Sequence, residues 1–274
     1  MDARLSPSLF ALFATLVEET CGLHYGERDR ELFGTKLVAH AEERGYDALI
    51  DFYYRLRYDD PAGAERELLV EALLIHETYF FRELAPLRYL ADPFLADVVR
   101  VKGRARVWSA ACSSGEEPFT LAMLLADRGL LDSVEIVATD LSEETITRAR
   151  EGRHSPRALR DGHPIDLARK YLEPAPRGVR VAPAIRAAVR FATQNLVGGA
   201  GGGDLGAFDV ILCRNVLIYF RDEQISRVID RLAAHLAPGG LLCVGVSESL
   251  LRFGTKLVCE ERGSSFFYGR GGRP

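Results

Sequence analysis

The run Arg104-Ala-Arg-Val-Trp-Ser-Ala-Ala-Cys-Ser-Ser-Gly-Glu-Glu-Pro-Phe119 constrains this chain more than any other stretch, because it passes from an apolar strand through a tight loop of small residues into a helix start. Small side chains from Ala110 to Gly115 let a ligand approach the backbone closely. Pro118 suits the first helical position, where a missing N–H costs nothing, and this spacing puts Glu117 at the helix cap. A phosphate cradle is a poor fit. Glu116 and Glu117 stand where bare N–H groups would be wanted, and no Lys-Ser or Lys-Thr pair follows. A nucleoside-like ligand with a cationic part suits the loop better.

From this loop onward strand patterns alternate with helix patterns, which implies a mainly parallel sheet with helices on both faces. Arg106 to Ala110 reads as the first strand, Pro118 to Asp127 as a helix, Val134 to Thr139 as the second strand, and Glu143 to Arg150 as a helix capped by Ser142. Val210 to Cys213 and Leu241 to Val246 read as later strands, separated by a helix from Glu223 to Leu236 that Pro238-Gly239-Gly240 terminates. Lys256 to Glu260 and Ser265 to Tyr268 read as a closing hairpin around Arg262-Gly263. Between these, Ala168 to Thr193 predicts two short antiparallel strands, Arg177 to Val181 and Ala188 to Ala192. This segment is rich in arginine, and its composition favours a solvated hairpin over a basic insertion that docks an acidic partner. Gly198 to Gly203 reads as a flexible loop.

The preceding part is different. Residues 6 to about 75 show helical periodicity, as in Leu9, Leu12, Phe13 and Leu16, with breaks at Gly22, Gly45 and the turn from Asp59 to Gly63. The sequence therefore predicts a small all-α domain over 1–75 and a sheet domain over 76–274, joined through a linker at 76–100 that carries an apolar helix near Leu87 to Val99. The apolar run Leu9 to Val17 is read as a helix that Ser6-Pro7 starts, without a cleavage site after it, and it falls well below the about 20 residues needed to span a bilayer. A net charge of −4 argues against a protein built chiefly to hold nucleic acid. Five widely spaced cysteines with no Cys-x-x-Cys pair read as reduced thiols in a cytoplasmic protein.

Open α/β sheets bind ligands beyond the carboxyl ends of their strands. Asp140 ends the second strand about 20 residues after the loop, the spacing of an acid that bonds ribose hydroxyls; a helix-capping role is the plainer alternative. Arg214-Asn215 follows a buried strand, and the pair serves equally well as a ligand contact or as a carboxylate partner beside a helix cap. Tyr219 alone reads as a core aromatic with its hydroxyl at the surface. In His76-Glu-Thr-Tyr-Phe-Phe-Arg-Glu83, Thr78, Tyr79 and Arg82 interleave with two phenylalanines. His76 and Glu77 are neighbours with no second histidine spaced to help, so no metal site is expected. A nucleoside that carries both an ammonium and a sulfonium, S-adenosylmethionine, meets the description of the loop.

Together, His76 to Glu83, Val107 to Pro118, Ala138-Thr-Asp-Leu141, Gln194-Asn-Leu196, Cys213-Arg-Asn-Val-Leu-Ile-Tyr-Phe220 and Leu236-Ala-Pro-Gly-Gly240 resemble the CheR family of chemotaxis protein methyltransferases. The resemblance spans nearly the whole chain. It implies a doubly wound, Rossmann-like α/β methyltransferase sheet with a C-terminal antiparallel hairpin, a small β-subdomain at 168–193 and an N-terminal all-α domain. The implied cofactor is S-adenosylmethionine, with S-adenosylhomocysteine as product and no metal. Its contacts would be His76, where the family commonly has Asn, with Thr78, Arg82, Glu117, Asp140, Asn195, Leu196, Arg214 and Asn215. Glu117 would meet the methionine ammonium, Asp140 the ribose, and Asn195 with Leu196 the adenine end. The catalytic pair falls on Arg82 and Tyr219. His76 can still donate a hydrogen bond, but its charge varies with pH.

The family's substrate implies methylation of glutamates in the cytoplasmic domain of a chemoreceptor, by a cytoplasmic monomer that neither inserts in the membrane nor acts on nucleic acid. A nucleic-acid amino-methyltransferase is disfavoured, because Arg214-Asn-Val-Leu stands where an Asn/Asp-Pro-Pro-aromatic motif would be. The alternative from another class is a non-catalytic module that senses S-adenosylmethionine or scaffolds a signalling array.

Overall fold

The computed structural model describes residues 5–198 and 205–271. Beyond Gly198, the expected flexible loop to Gly203 lies outside the described residues. The chain divides into two compact units, Met1–Ile75 with Ile218–Gln224, and His76–Leu217 with Ile225–Pro274.

Among the described residues, the smaller unit is built on four α-helices: α1 (Pro7–Cys21), α2 (Arg30–Glu43), α3 (Leu49–Tyr58) and α4 (Ala64–Leu73). Ser6 accepts a hydrogen bond from Leu9 N, Pro7 takes the first helical position, and Gly22 ends α1 in the left-handed region, so the sequence signals act where they stand. Phe13, Phe33 and Phe52 are fully buried, and Phe13 packs on both Phe52 and Tyr53. The α4 C-terminus is closed by side chains: Tyr25 Oη donates to Leu73 O, and Lys36 Nζ to the carbonyls of Leu73 and Leu74. Leu12, Leu32, Ile50 and Leu68 fall on the apolar pattern yet remain exposed.

In the larger unit, α5 (Leu84–Tyr89) and α6 (Leu95–Lys102) replace the single helix expected near Leu87 to Val99. Asp92 adopts φ −158°, ψ 114°, because the ring of Pro93 disfavours helical geometry at the residue before it. The strands are β1 (Ala105–Ala110), β2 (Val134–Asp140), β3 (Arg153–His154), β4 (Leu172–Ala175), β5 (Gly178–Val181), β6 (Val189–Thr193), β7 (Phe208–Cys213), β8 (Leu236–Val244), β9 (Leu257–Arg262) and β10 (Ser265–Arg270). The helices among them are α7 (Glu116–Asp127), α8 (Glu143–Glu151), α9 (Ile165–Tyr171), α10 (Pro183–Ala187) and α11 (Asp222–Ala234). Seven strands form one sheet in the order β6-β2-β1-β7-β8-β10-β9; the first five are parallel, and β10 runs antiparallel to both β8 and β9. This is the expected doubly wound sheet closed by an antiparallel hairpin. Strand order reverses between β1 and β7, which opens a crevice at their carboxyl ends. β7 is buried along its whole length, as a central parallel strand must be.

Four local expectations are corrected. Gly115, at φ 94°, caps α7, so the helix starts at Glu116 and Pro118 is its third residue rather than its first; a helix leaves its first N–H groups unbonded, which makes proline tolerable there too. Ala188 to Ala192 does not pair with Arg177 to Val181. Val189 and Phe191 are buried, and β6 adds to β2 as a parallel edge strand. The small sheet is instead β3-β5-β4, with β4 and β5 joined across Pro176-Arg177. Pro238-Gly239-Gly240 does not end α11, which stops at Ala234, but makes an irregularity inside β8, where Phe208 pairs with Leu236 and Val210 with Leu241. A Cβ on Gly240 would lie 3.0 Å from the carbonyls of Ala237, Phe208 and Asp209, so only glycine lets the strands approach there.

Candidate functional site

The loop after β1 is held open by its own backbone. Ala111 and Ser113 take positive φ, at 63° and 49°, before Gly115 turns into α7. Cys112 N donates to Thr139 O, and Asp140 at the end of β2 accepts from Ser113 N at 2.7 Å and from Ser142 N at 3.2 Å. Asp140 thus shapes the loop and the approach to α8 together. Its burial raises the carboxyl above the ordinary value; the N–H groups of Ser113 and Ser142 and the charge of His76 oppose this.

The two adjacent glutamates part company. Glu116 turns into the protein, where Ser114 Oγ donates to it and the buried His154 of β3 lies at 2.9 Å. Glu117 faces the crevice, accepting from Ser109 Oγ at 2.7 Å and from Arg214 Nη1 at 2.9 Å. Burial raises the Glu117 carboxyl above the ordinary range, against the charge of Arg214 and both hydrogen bonds.

Arg214 ends β7 and is the centre of a knot. Its Nη2 donates to the carbonyls of Arg82 and Glu83 and to Glu83 Oε2 at 3.0 Å. The Glu83 carboxylate also accepts from Asn215 Nδ2 and Val246 N, and Glu248 accepts from the N–H groups of Asn215 and Gly245. Burial would raise the Glu83 carboxyl, but the Arg214 charge and the hydrogen bonds of Asn215, Arg214 and Val246 hold it below the ordinary value. A Cβ on Gly245 would come within 2.7 Å of Asn215 Nδ2 and Glu248 Oε2, which is why glycine stands there.

The geometry thus gathers Glu117, Arg214 and Asn215 with the backbone of Arg82 on one side of the loop, and Asp140 on the other. His76 is exposed, 3.3 Å from Thr145 Oγ1 of α8. Asn195 follows β6; its Oδ1 accepts from Val197 N, Leu196 beside it is buried, and the carbonyls of both accept from Arg231 Nη1. Gln194 N reaches back to Asp140 O, which ties this turn to the end of β2. The Arg82 guanidinium donates to Glu77 O and lies 5.5 Å from the Tyr79 ring centre; Thr78 is half-buried. Tyr219 belongs to the helical unit, in whose segment Ile218–Gln224 its carbonyl accepts from His24 N.

Glu83, Glu248, Ser109 and the Glu116–His154 contact carried no role in the sequence reading. Glu83, Ser109 and Glu116 stood inside motifs that drew attention, but their partners are set by the packing: Glu83 meets Arg214, Ser109 donates to Glu117, and Glu116 meets His154.

The donor set suits S-adenosylmethionine. Ser113 Oγ, Gln194 Oε1 and Arg214 Nε are buried polar atoms without a protein partner, beside carboxylates that can accept from an ammonium and from hydroxyls. Among the described residues, no group of three or more His, Cys, Asp or Glu side chains could hold a metal ion, and no helix is long and apolar enough to cross a membrane. All five cysteines are free; burial lifts the Cys243 thiol to about 12 and those of Cys112 and Cys213 well above the ordinary value, which leaves them poor nucleophiles.

Comparison with known proteins agrees with this geometry. The family profile described as "CheR methyltransferase, SAM binding domain" matches residues 76–263. Chemotaxis protein methyltransferase 1 of Pseudomonas aeruginosa is 37% identical over 250 residues, covering 88% of this chain and 90% of that protein. The chemotaxis protein methyltransferase of Vibrio parahaemolyticus is 37% identical over 87% of this chain and 88% of its own. That of Escherichia coli is 33% identical over 89% of this chain and 85% of its own. With its motifs in order along a methyltransferase-type sheet and such relatives along most of its length, the chain belongs to the CheR methyltransferase family.

Proposed function

We propose that this protein transfers a methyl group from S-adenosylmethionine to glutamate side chains in the cytoplasmic domain of a chemoreceptor, forming methyl esters in chemosensory adaptation. The observation that carries the reading is the pair of carboxylates on either side of the loop at the strand-order reversal, Glu117 and Asp140, in a chain of this family. Glu117 would take the methionine ammonium and Asp140 the ribose hydroxyls. Asn195 and Leu196 would face the adenine, with His76, Thr78, Arg82, Arg214 and Asn215 completing the contacts. The protein acts as a cytoplasmic monomer, with 1–75 as a helical domain and 76–274 as the methyltransferase domain.

The bound cofactor supplies an electrophilic methyl group on a sulfonium. A glutamate acceptor has an ordinary pKa of about 4.3, so it arrives ionised and the protein needs no general base. The work left to the chain is positioning and exclusion of water. Arg82 orients the incoming carboxylate without binding it tightly, since the acceptor loses its charge on methylation, and the Tyr219 hydroxyl aligns it. The test is transfer of radiolabelled methyl groups to receptor-containing membranes, with the label released by mild base as an ester should be. Label on nucleic acid would overturn the reading; tight S-adenosylmethionine binding with no label on any acceptor would favour a non-catalytic sensor.

A further inference from the structure

Arg214 is one cation held between two carboxylates, Glu117 at 2.9 Å and Glu83 at 3.0 Å, with a side chain only 1% exposed. The trio therefore retains one unit of negative charge, in surroundings where charges are weakly screened. Were Glu83 neutral, Arg214 and Glu117 would form a closed pair, and an ammonium approaching Glu117 would meet a pair with no net charge to attract it. The neighbouring cation, Arg82, turns its guanidinium to Glu77 O and Tyr79. Glu248 contributes a separate carboxylate on the backbone N–H groups of Asn215 and Gly245. Glu83 is moreover held in the left-handed region at φ 46°, a strained backbone for a residue with a side chain, while its carboxylate binds Arg214, Asn215 and Val246.

We propose that Glu83 is a specificity-determining positioning residue: by neutralising Arg214 it leaves the charge of Glu117 available to the amino group of the cofactor. This rests on the reading of the crevice as an S-adenosylmethionine site. Glu83 acts through Arg214 and need not touch the ligand.

Glu83→Gln separates charge from shape. A glutamine can accept from Arg214 and Val246 with its Oε1 and donate with its Nε2 to the Asn215 amide once that is turned over, so the hydrogen bonds survive and only the charge is lost. Calorimetric titration of the full-length protein would compare S-adenosylmethionine, S-adenosylhomocysteine and 5′-methylthioadenosine, a nucleoside thioether without the amino-acid part. The expected result is binding about tenfold weaker for the first two and unchanged for the third. Glu83→Asp, which keeps the charge, should keep the wild-type preference for the amino-bearing ligands, and it serves as the test should Glu83→Gln not fold. Equal weakening of all three ligands by Glu83→Gln, no weakening of any, or a preference lost in folded Glu83→Asp would overturn the proposal. Failure of the wild-type protein to bind any of the three would instead overturn the cofactor reading, and this proposal with it.

Discussion

Tyr219 and Asp140 make different demands on a substitution. Replacing Tyr219 with Phe removes one hydroxyl, and we expect turnover to fall about 10- to 100-fold while S-adenosylmethionine affinity stays within about twofold; unchanged turnover would remove Tyr219 from the chemistry. Asp140→Asn should weaken S-adenosylmethionine, S-adenosylhomocysteine and 5′-methylthioadenosine alike, because all three carry the ribose, which contrasts with the pattern expected for Glu83. Glu117 adds a pH dependence. Burial raises its folded-state pKa, so a fraction is protonated at pH values above the ordinary carboxylate midpoint, and an arriving ammonium must displace that proton. Affinity should therefore fall as pH falls through the raised pKa, with proton release on binding. Calorimetry in two buffers of different ionisation enthalpy measures it, and a binding enthalpy independent of buffer throughout that window would contradict it.

At the scale of elements, the loop between β1 and α7 depends on one backbone position. Gly115 sits at φ 94°, and a Cβ there would lie 3.0 Å from Phe119, 3.1 Å from Phe191 and 3.2 Å from Ala149. Gly115→Ala should cost about 1–3 kcal/mol in stability, read from denaturant unfolding, and should also weaken cofactor binding, because strain and contact act together at the loop. Ser142, whose Oγ accepts from Thr145 N at the start of α8, should cost only about 1 kcal/mol when changed to Ala. The strands show how far local pattern reaches. Val189 and Phe191 mark an alternating apolar strand, but a residue pattern does not name its partner, and β6 pairs with β2 although β5 is nearer in sequence. A deletion of Ala168 to Thr193 would therefore remove a strand of the main sheet. A test of the arginine-rich small sheet is better confined to surface charges such as Arg177 and Arg180.

For the molecule as a whole, its carboxylates divide by sign. Glu83 titrates below its ordinary value in the folded state, so its contribution to stability is present above the unfolded pKa and is lost as pH falls through the lower folded one. Glu117 and Asp140 titrate above theirs, so they burden the ligand-free fold at neutral pH, and that burden lifts as pH falls through their raised values. The rise in Tm on adding S-adenosylmethionine should therefore shrink over the pH range in which the Glu117 carboxylate is lost, as pH falls through its raised value. A Tm increment independent of pH across that range would show that Glu117 does not carry the ammonium.

Much of this was legible in the residues alone. The alternation of strand and helix, the helix caps at Ser6 and Ser142, the acid ending β2 and the closing hairpin each follow from short-range rules, since capping, turn geometry and side-chain periodicity act within a few residues. The order of motifs also carried the family resemblance. What only the tertiary structure decided is which distant groups share a charge or a strand edge. It set Glu83 and Glu117 on either side of Arg214, turned Glu116 away to His154, paired β6 with β2, and made Pro238-Gly239-Gly240 an irregularity in a strand instead of a helix stop. Those outcomes depend on burial and on where each backbone donor finds its acceptor, and both are properties of the packed chain.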